Sequence, residues 1–286
     1  MSALAEFVDR REQWAKDANT PSYRTVEDYS ANFTDLAAIS HPKLNQIYGG
    51  PFYHTKPHAD RPSTNLVFVE DINGNTAIDN PGDLGGGETD KHIIYDGLTR
   101  AYVQAVIAGV NTLRDASLFL STWHPSAVDL RVKLRLPRHP VQVLVTESGN
   151  FSADHFILQH PNLDVIFLTG VEGARRLGQM RAGLTHKDQI KIEITGQTTN
   201  LKEGMKILKQ NYGVNLASCI GGHTLAKSML DDGVIDDIYL TQTQSFGAVP
   251  NTPFHPDRNR FLRNVVVGKK GTGEEEGVRF LHLKVR

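Results

Sequence analysis

The chain of 286 residues is long enough for one large domain, or for a domain with an extension, and it can bury a substantial core. Its 31 basic and 32 acidic residues leave no field that would favour nucleic acid or an anionic membrane as a partner. No apolar run approaches membrane-spanning length, and the single cysteine, Cys219, cannot form an internal disulfide, so we expect a cytoplasmic protein.

Residues 1–60 are polar, and prolines and glycines interrupt any long periodic pattern. Short helices fit only over about 3–17 and 25–38. We interpret this segment as a partly helical N-terminal extension that packs on the main domain or on a partner subunit. The main domain is then expected to cover 61–286.

From Asn65 onward, short β-rich runs alternate with helical stretches. The first predicted strand, over 65–72, is followed by a turn at Asn73–Gly74 and by a glycine-rich loop over 80–90. The later predicted elements are the strands 105–110, 141–148, 164–170, 191–195, 215–220, 235–243 and 278–286, and the helices 95–104, 200–213 and 223–233.

The runs 141–148 and 164–170 are apolar throughout, which is typical of parallel strands covered on both faces. Their alternation with helices predicts an α/β fold, with a mostly parallel central sheet and helices on both faces. The last strand alternates polar and apolar residues and has no helix after it. It is therefore predicted to be an antiparallel strand at the edge of the sheet.

Two consecutive glycines, Gly221 and Gly222, stand where a predicted strand passes into a helix. A helix N-terminus has free N–H groups and the positive end of the helix dipole, so an anion is stabilised there. Glycines would let the backbone approach a pyrophosphate, and Thr224 would offer a hydroxyl to it. A purely structural interpretation is also open, because a tight turn can require glycine as well.

The stretch IGGHTLAKSMLDDGVIDDIYLTQ, residues 220–242, resembles the cofactor-binding segment of the riboflavin-biosynthesis reductases. Segments similar to that family follow in the same order upstream, at 71–77, 98–118 and 141–151. The resemblance covers roughly residues 62–286. It implies a dihydrofolate-reductase-like fold and an NADPH-dependent reductase, with NADH as the alternative cofactor. It also implies a homodimer and a small-molecule substrate with a pyrimidine- or pterin-like ring.

The resemblance further implies where the cofactor binds. Its phosphates would meet the backbone at the start of the 223–233 helix, and the rest of the dinucleotide would meet the ends of the predicted strands. The implied cofactor-binding residues are Val69, Gly109, Thr112, Asp115, Thr146, Ser148, Gly221, Gly222, His223, Thr224 and Leu225.

The substrate side departs from the family pattern. Family reductases carry Glu at the position of Ile220, Lys at that of Val67 and a second phosphate-binding Arg near Ser121. The other phosphate-binding arginine of the family corresponds to Arg100, and Thr89 lies in a glycine-rich loop that could close over the substrate. Arg100, Thr89 and Ile220 are thus the implied substrate-binding residues, and Arg100 has a surface cation as its alternative interpretation.

Hydride transfer requires a positioned acceptor, exclusion of water and a proton source. The implied catalytic residues are Glu70, Asp71 and Asn73, near the end of the first strand. Each has an alternative interpretation as a solvated turn residue. The basic runs 131–139 and 173–181 are candidates for binding the 2′-phosphate of NADPH, and a solvated loop is the alternative for the first.

The 12 histidines show no metal-ligand spacing, so no metal site is predicted, and Cys219 is expected to be a small core residue. Two other functions remain open. A catalytically silent nucleotide-binding or sensor protein would explain the lost substrate residues. A structural or nucleic-acid-binding module has only the 131–139 run in its favour.

Overall fold

A ten-stranded sheet forms the centre of the computed structural model, which describes residues 2–79, 81–113, 117–270 and 277–285. A separate two-stranded hairpin, β2–β3, lies in the N-terminal segment. The strands are β1 Arg24–Asp28, β2 Leu36–Ile39, β3 Phe52–Thr55, β4 Ser63–Glu70, β5 Ala105–Gly109, β6 Val141–Val145, β7 Val165–Gly170, β8 Ile190–Gly196, β9 Leu216–Cys219, β10 Asp237–Gln242, β11 Val265–Lys270 and β12 Arg279–Lys284.

The strands of the large sheet follow the order β1-β11-β12-β10-β4-β9-β5-β6-β7-β8. From β10 to β8 every pairing is parallel, which confirms the predicted mostly parallel sheet. The last strand, β12, is antiparallel to β10, also as predicted. Beyond it the sheet continues through β11 and β1, two antiparallel strands that the sequence patterns did not indicate.

Helices cover both faces of this sheet. The side chains of consecutive residues point to opposite faces, so Val106 of β5 belongs to one apolar core and Ile107 to the other. The helices are α1 Ala3–Asp17, α2 Pro42–Tyr48, α3 Gly87–Thr89, a π-helix Asp90–Leu98, α4 Thr99–Ala101, α5 Pro125–Lys133, α6 Phe156–Gln159, α7 Val171–Ala182, α8 Leu201–Tyr212, α9 His223–Asp231 and α10 Arg258–Phe261.

Phe7 of α1 and Leu177 of α7 pack in the first core, and Leu208 of α8 and Met229 of α9 pack in the second. Cys219 is fully buried in the second core, and burial raises the pKa of its thiol to about 12. It is therefore a core residue, as predicted. Within the described part of the chain, no helix has both the length and the apolar character needed to cross a membrane.

The N-terminal segment packs on the same sheet as the rest of the chain. The helix predicted at 3–17 is present as α1, and its Phe7 ring lies 5.4 Å from that of Phe119 and 5.8 Å from that of Trp123. The helix predicted at 25–38 is wrong, because this stretch forms β1 and β2 instead. Strand β1 is held by β11, a partner far along the chain that no local pattern reveals. The domain boundary at 61 stays a proposal.

Candidate functional site

Strands β4 and β5 are consecutive in the chain as strands of the large sheet, but β9 lies between them in the sheet. The strand order therefore changes direction at this point. In open α/β sheets, ligands bind at the carboxyl ends of the strands at such a point. Strands β4 and β5 end at Glu70 and Gly109, and Ile220 directly follows β9. A candidate site for a small molecule therefore lies at this edge, beside the start of α9.

The Gly221–Gly222 turn connects β9 to α9 with positive backbone angles, φ +93° and +87°. A Cβ on Gly222 would lie 2.5 Å from Thr112 Oγ1, and one on Gly221 would lie 2.9 Å from the Phe68 ring. The Thr112 hydroxyl donates a hydrogen bond of 3.1 Å to the Gly221 carbonyl. Both the backbone angles and the close approach therefore require glycine here.

The N-terminus of α9 is open to a ligand. Gly222 is its N-cap and provides no capping side chain, and the first bond into the helix runs from the Ala226 N–H to the Gly222 carbonyl at 2.9 Å. The N–H groups before Ala226 are the unpaired donors of a helix start. Thr224 is exposed at this end. This arrangement of free N–H groups behind a glycine turn fits the pyrophosphate of a dinucleotide.

His223 is turned away from the helix axis. Its Nε2 lies 3.0 Å from Thr76 Oγ1 and its Nδ1 lies 3.2 Å from the carbonyl of Pro253. The side chain thus links α9 to the two loops after β4 and β10. The His223 side chain is thus engaged within the protein, and the Leu225 side chain is buried, so each would meet a phosphate through its backbone N–H.

The other predicted cofactor-binding residues lie along the same edge of the sheet, except one that falls outside the residues the structure describes. Thr146 is buried and its hydroxyl accepts a bond of 3.1 Å from the Gly149 N–H, whereas Ser148 is exposed. Gly109 ends β5, and Val69 is buried near the end of β4. Asp115 falls in the part of the chain that the structure does not describe.

The predicted catalytic residues lie together at the end of β4, but in different environments. Glu70 is 1% exposed, so its interpretation as a solvated residue is wrong. Its carboxylate accepts two bonds from Arg258, one of them 3.0 Å from Nε, and a third of 2.6 Å from Gln242. Asp71 is also buried, and it closes the turn by accepting bonds of 2.8 and 2.9 Å from the N–H groups of Asn73 and Asn75. Asn73 is exposed.

All three predicted substrate-binding residues are buried. Arg100 is 1% exposed, so the alternative of a surface cation is wrong. Its Nη1 donates 2.8 Å to Asp96 and 2.9 Å to the Ser121 carbonyl. Ile220 belongs to the first apolar core, and its N–H donates 2.9 Å to the Ile107 carbonyl. Thr89 is enclosed at the start of the π-helix.

A cavity of about 460 Å³ opens beside the carboxyl end of β10, next to β4. Its walls are formed by the predicted glycine-rich loop and by the residues after β10. Residues near the N-terminus and near the C-terminus complete them, and the sequence patterns did not link these two regions to a site. The lining residues are Asn19, Pro21, residues 85–88, residues 243–245 and Val278.

The two basic runs lie at opposite edges. In the first run Arg131 is buried, and its guanidinium donates to the backbone carbonyls of Pro137, Arg100 and Val103. Burial lowers its pKa to about 10. Residues 132–135 are exposed, so the interpretation as a solvated loop holds for that part of the run. Arg175 and Arg176, by contrast, are exposed on α7, which follows the carboxyl end of β7, and both bond Glu172. Only this second run is near the candidate site.

Comparison with known proteins identifies the fold. A family model described as the RibD C-terminal domain matches residues 76–246. A pyrimidine reductase-like protein from Corynebacterium diphtheriae is 19% identical with a TM-score of 0.60, and the alignment covers 79% of this chain and 93% of that one. No curated protein matches the chain in sequence.

Two further solved structures are similar. The riboflavin biosynthesis reductase of Saccharomyces cerevisiae is 12% identical with a TM-score of 0.55, and the alignment covers 86% of this chain and 99% of that one. A deaminase/5-amino-6-(5-phosphoribosylamino)uracil reductase from Thermotoga maritima is 16% identical with a TM-score of 0.53, with 79% and 57% covered. These neighbours confirm the predicted dihydrofolate-reductase-like fold class.

Proposed function

This chain belongs to the RibD C-terminal domain family, and from that premise we propose that it is an NADPH-dependent reductase. Its substrate is a small pyrimidine- or pterin-like heterocycle or a carbonyl compound. The observation that carries the proposal is the Gly221–Gly222 turn, which presents the open N-terminus of α9 at the point where the strand order reverses.

When bound, NADPH supplies a hydride to the carbon of a C=N or C=O bond, the heteroatom takes a proton, and NADP⁺ is left. The backbone N–H groups of His223, Thr224 and Leu225 would hold the pyrophosphate, together with the exposed Thr224 hydroxyl. Thr112 keeps the preceding turn in place through its bond to Gly221. Gly109, without a side chain, leaves room at the end of β5.

Two finer proposals concern the cofactor and the proton. Arg175 and Arg176, beside the loop after β6, would favour the 2′-phosphate of NADPH over NADH. Among Glu70, which ends β4, and Asp71 and Asn73, which follow it, Asp71 is the stronger candidate for holding a proton. Both hydrogen bonds to the Asp71 carboxylate are accepted by Oδ1, whereas Glu70 accepts bonds from Arg258 with both of its carboxylate oxygens. A homodimer also stays a proposal.

The test is a calorimetric titration of the protein with NADPH. We expect Gly222→Ala to weaken binding at least tenfold, about 1.4 kcal/mol, because its Cβ would enter the space beside Thr112. Gly233→Ala is the matched control. It lies just after the same helix with φ +67° and has no atom within 4 Å of its Cβ position, so it bears similar backbone strain without the clash. Wild-type protein that binds no NADPH at millimolar concentration would end the proposal.

A second candidate is a catalytically silent nucleotide-binding protein with the same fold. Its support is the substrate side, where Ile220 is buried in an apolar core and Arg100 is enclosed. The two functions differ in one observable. Binding of NADPH without its oxidation, across pterins, pyrimidines, quinones and carbonyl compounds, would favour the silent protein, and turnover of any of them would exclude it.

A further inference from the structure

We propose that the substrate of this reductase carries no phosphate and is held by its N–H donors in the cavity beside β10, with Glu88 as the main acceptor. The inference rests on the proposed function and names the substrate class of the same site. It differs from the phosphoribosyl compound in the name of the Thermotoga reductase.

The first step concerns the arginine that would meet a phosphate. The Arg100 guanidinium forms an ion pair with Asp96, which also binds Arg11 at 2.5 Å, and it lies 4.0 Å over the ring of Tyr95. Its Nε and Nη2 have no hydrogen-bond partner among the described residues. At 1% exposure, however, the guanidinium is enclosed and no substrate anion reaches it.

The second step concerns Ser121, near which the family places another arginine. Its hydroxyl lies 2.6 Å from His139 Nδ1, and its carbonyl accepts the bond from Arg100. The residue is fully buried. Arg138 donates a bond of 3.4 Å to the Ser121 hydroxyl, but its guanidinium also pairs with Glu12 at 3.3 Å, so the positive charge at this position is already balanced within the protein.

The third step concerns the cavity itself. Its polar groups are the amides of Asn19 and Gln244, the hydroxyls of Thr243 and Ser245, and the carboxylate of Glu88. Neither lysine nor arginine is among its described lining residues. A phosphate dianion would thus meet a carboxylate and no counter-charge, whereas amino and ring N–H groups would find acceptors.

Two further groups act on Glu88. Lys91 lies 4.0 Å from one carboxylate oxygen, and His92 Nε2 lies 3.3 Å from the other. His92 is fully buried, and burial lowers its pKa, which disfavours a positive charge on the ring beside Glu88. Glu88 stays 31% exposed at the cavity and keeps acceptor capacity for a ligand.

The cavity lies next to the predicted reaction centre. Thr243 donates its N–H to the Glu70 carbonyl at 3.0 Å, which ties the cavity wall to the end of β4. A volume of about 460 Å³ is within the usual range for a small-molecule site and is sufficient for a heterocycle bearing a polyol chain. Asn19 lies before the family match at 76–246, so the N-terminal segment takes part in substrate selection.

The test compares two ligands by isothermal titration calorimetry, with and without NADP⁺. The ligands are 5-amino-6-(ribosylamino)uracil and its 5′-phosphate. We expect the compound without phosphate to bind at least tenfold more tightly. Glu88→Gln should reduce that preference at least threefold, while NADPH affinity stays within twofold of wild type. Glu203→Gln removes an exposed carboxylate on α8, paired with Lys206 at 3.7 Å, and serves as the control that leaves both affinities unchanged.

Equal or tighter binding of the phosphate would overturn the inference, and so would a preference that Glu88→Gln does not alter. Failure of both uracils in a protein that binds NADPH would also overturn it, and the proposed reductase function would stand. Failure of NADPH itself would instead refute the proposed function, so the two failures are distinguishable.

Discussion

Glu70 ends β4 with a buried carboxylate, and its bonds hold the loop that follows the strand. Arg258 donates to it from two nitrogens and Gln242 from a third. The Arg258 guanidinium also packs against the turn after β4, because a Cβ on Gly74 would lie 2.7 Å from Arg258 Cζ. A buried carboxylate with this many charge-assisted bonds is costly to leave incomplete.

We therefore expect Glu70→Gln to reduce the free energy of unfolding by about 3 kcal/mol, since it leaves the largely buried Arg258 without its counter-charge. Urea unfolding followed by circular dichroism measures this change. Glu172→Gln is the control, because that carboxylate also bonds two arginines but is 57% exposed, and its loss should lower the free energy of unfolding much less. Equal losses in the two variants would contradict the structural account of Glu70.

The sequence placed Glu70, Asp71 and Gly222 correctly at the ends of strands, because strand ends are marked by local turn signals. It could not show that Glu70 is buried, since its partner Arg258 lies 188 residues further along the chain. The same holds for Arg100. Its enclosure depends partly on Ser121, which lies 21 residues further along the chain and is not visible in the pattern of the local helix.

At the scale of elements, the π-helix at Asp90–Leu98 is the feature that positions this arginine. It takes the place of residues 95–98 of the short helix predicted over 95–104, and α4 covers only Thr99–Ala101 of the remainder. A Cβ on Gly97 would lie 2.3 Å from the His92 carbonyl, so the wide turn closes only around a glycine. The Thr99 hydroxyl donates bonds of 3.0 Å to the carbonyls of Ile94 and Tyr95. A π-helix has no apolar period of 3.6, so sequence patterns do not reveal it.

Gly97→Ala should consequently destabilise the protein by about 1–3 kcal/mol, because the new methyl group has to displace backbone. Thermal unfolding monitored by circular dichroism gives the comparison. In Gly178→Ala, on α7, the added Cβ meets no atom within 4 Å, and it should be neutral or stabilising by up to about 1 kcal/mol. A Gly97 variant as stable as the Gly178 variant would show that the π-turn tolerates a side chain.

The elements that could be predicted are those with a local signal in the sequence. The parallel strands β6 and β7 were visible as apolar runs, and α8 as an amphipathic segment ended by Gly213. Strands β1 and β11 were not, because each is stabilised by pairing with the other and their separation in sequence hides that pairing. The cavity beside β10 was not predictable for the same reason, since Asn19 and Gln244 come to line one cavity only in the folded chain.

At the scale of the whole molecule, histidines that lack metal spacing have a shared structural role. His41, His124 and His155 each precede a helix, and their Nδ1 atoms accept backbone N–H bonds of 3.2–3.3 Å at the starts of α2, α5 and α6. A backbone N–H can only be accepted by an unprotonated nitrogen. Each of these three bonds therefore requires a histidine whose Nδ1 carries no proton.

The pKa values of the histidines give the direction in which acid changes the stability. Burial, and then the charge of nearby basic groups, lowers the pKa of His124 to about 4 and that of His139 to about 3. In the unfolded chain both titrate near about 6.5. Because the folded pKa is the lower one, their contribution is fully present above about pH 6.5 and is lost progressively as the pH falls below it.

We expect the free energy of unfolding to fall between about pH 6.5 and 4, with His124 alone contributing about 1.4 kcal/mol for each pH unit. Urea unfolding at several pH values across this range measures the slope. His124→Asn keeps an acceptor for the N-terminus of α5 but cannot take up a proton, so its slope should be shallower than that of the wild type. If the variant and the wild type lost stability in parallel on acidification, His124 would not be one of the groups that protonate on unfolding, and the acid sensitivity would belong to the other buried histidines.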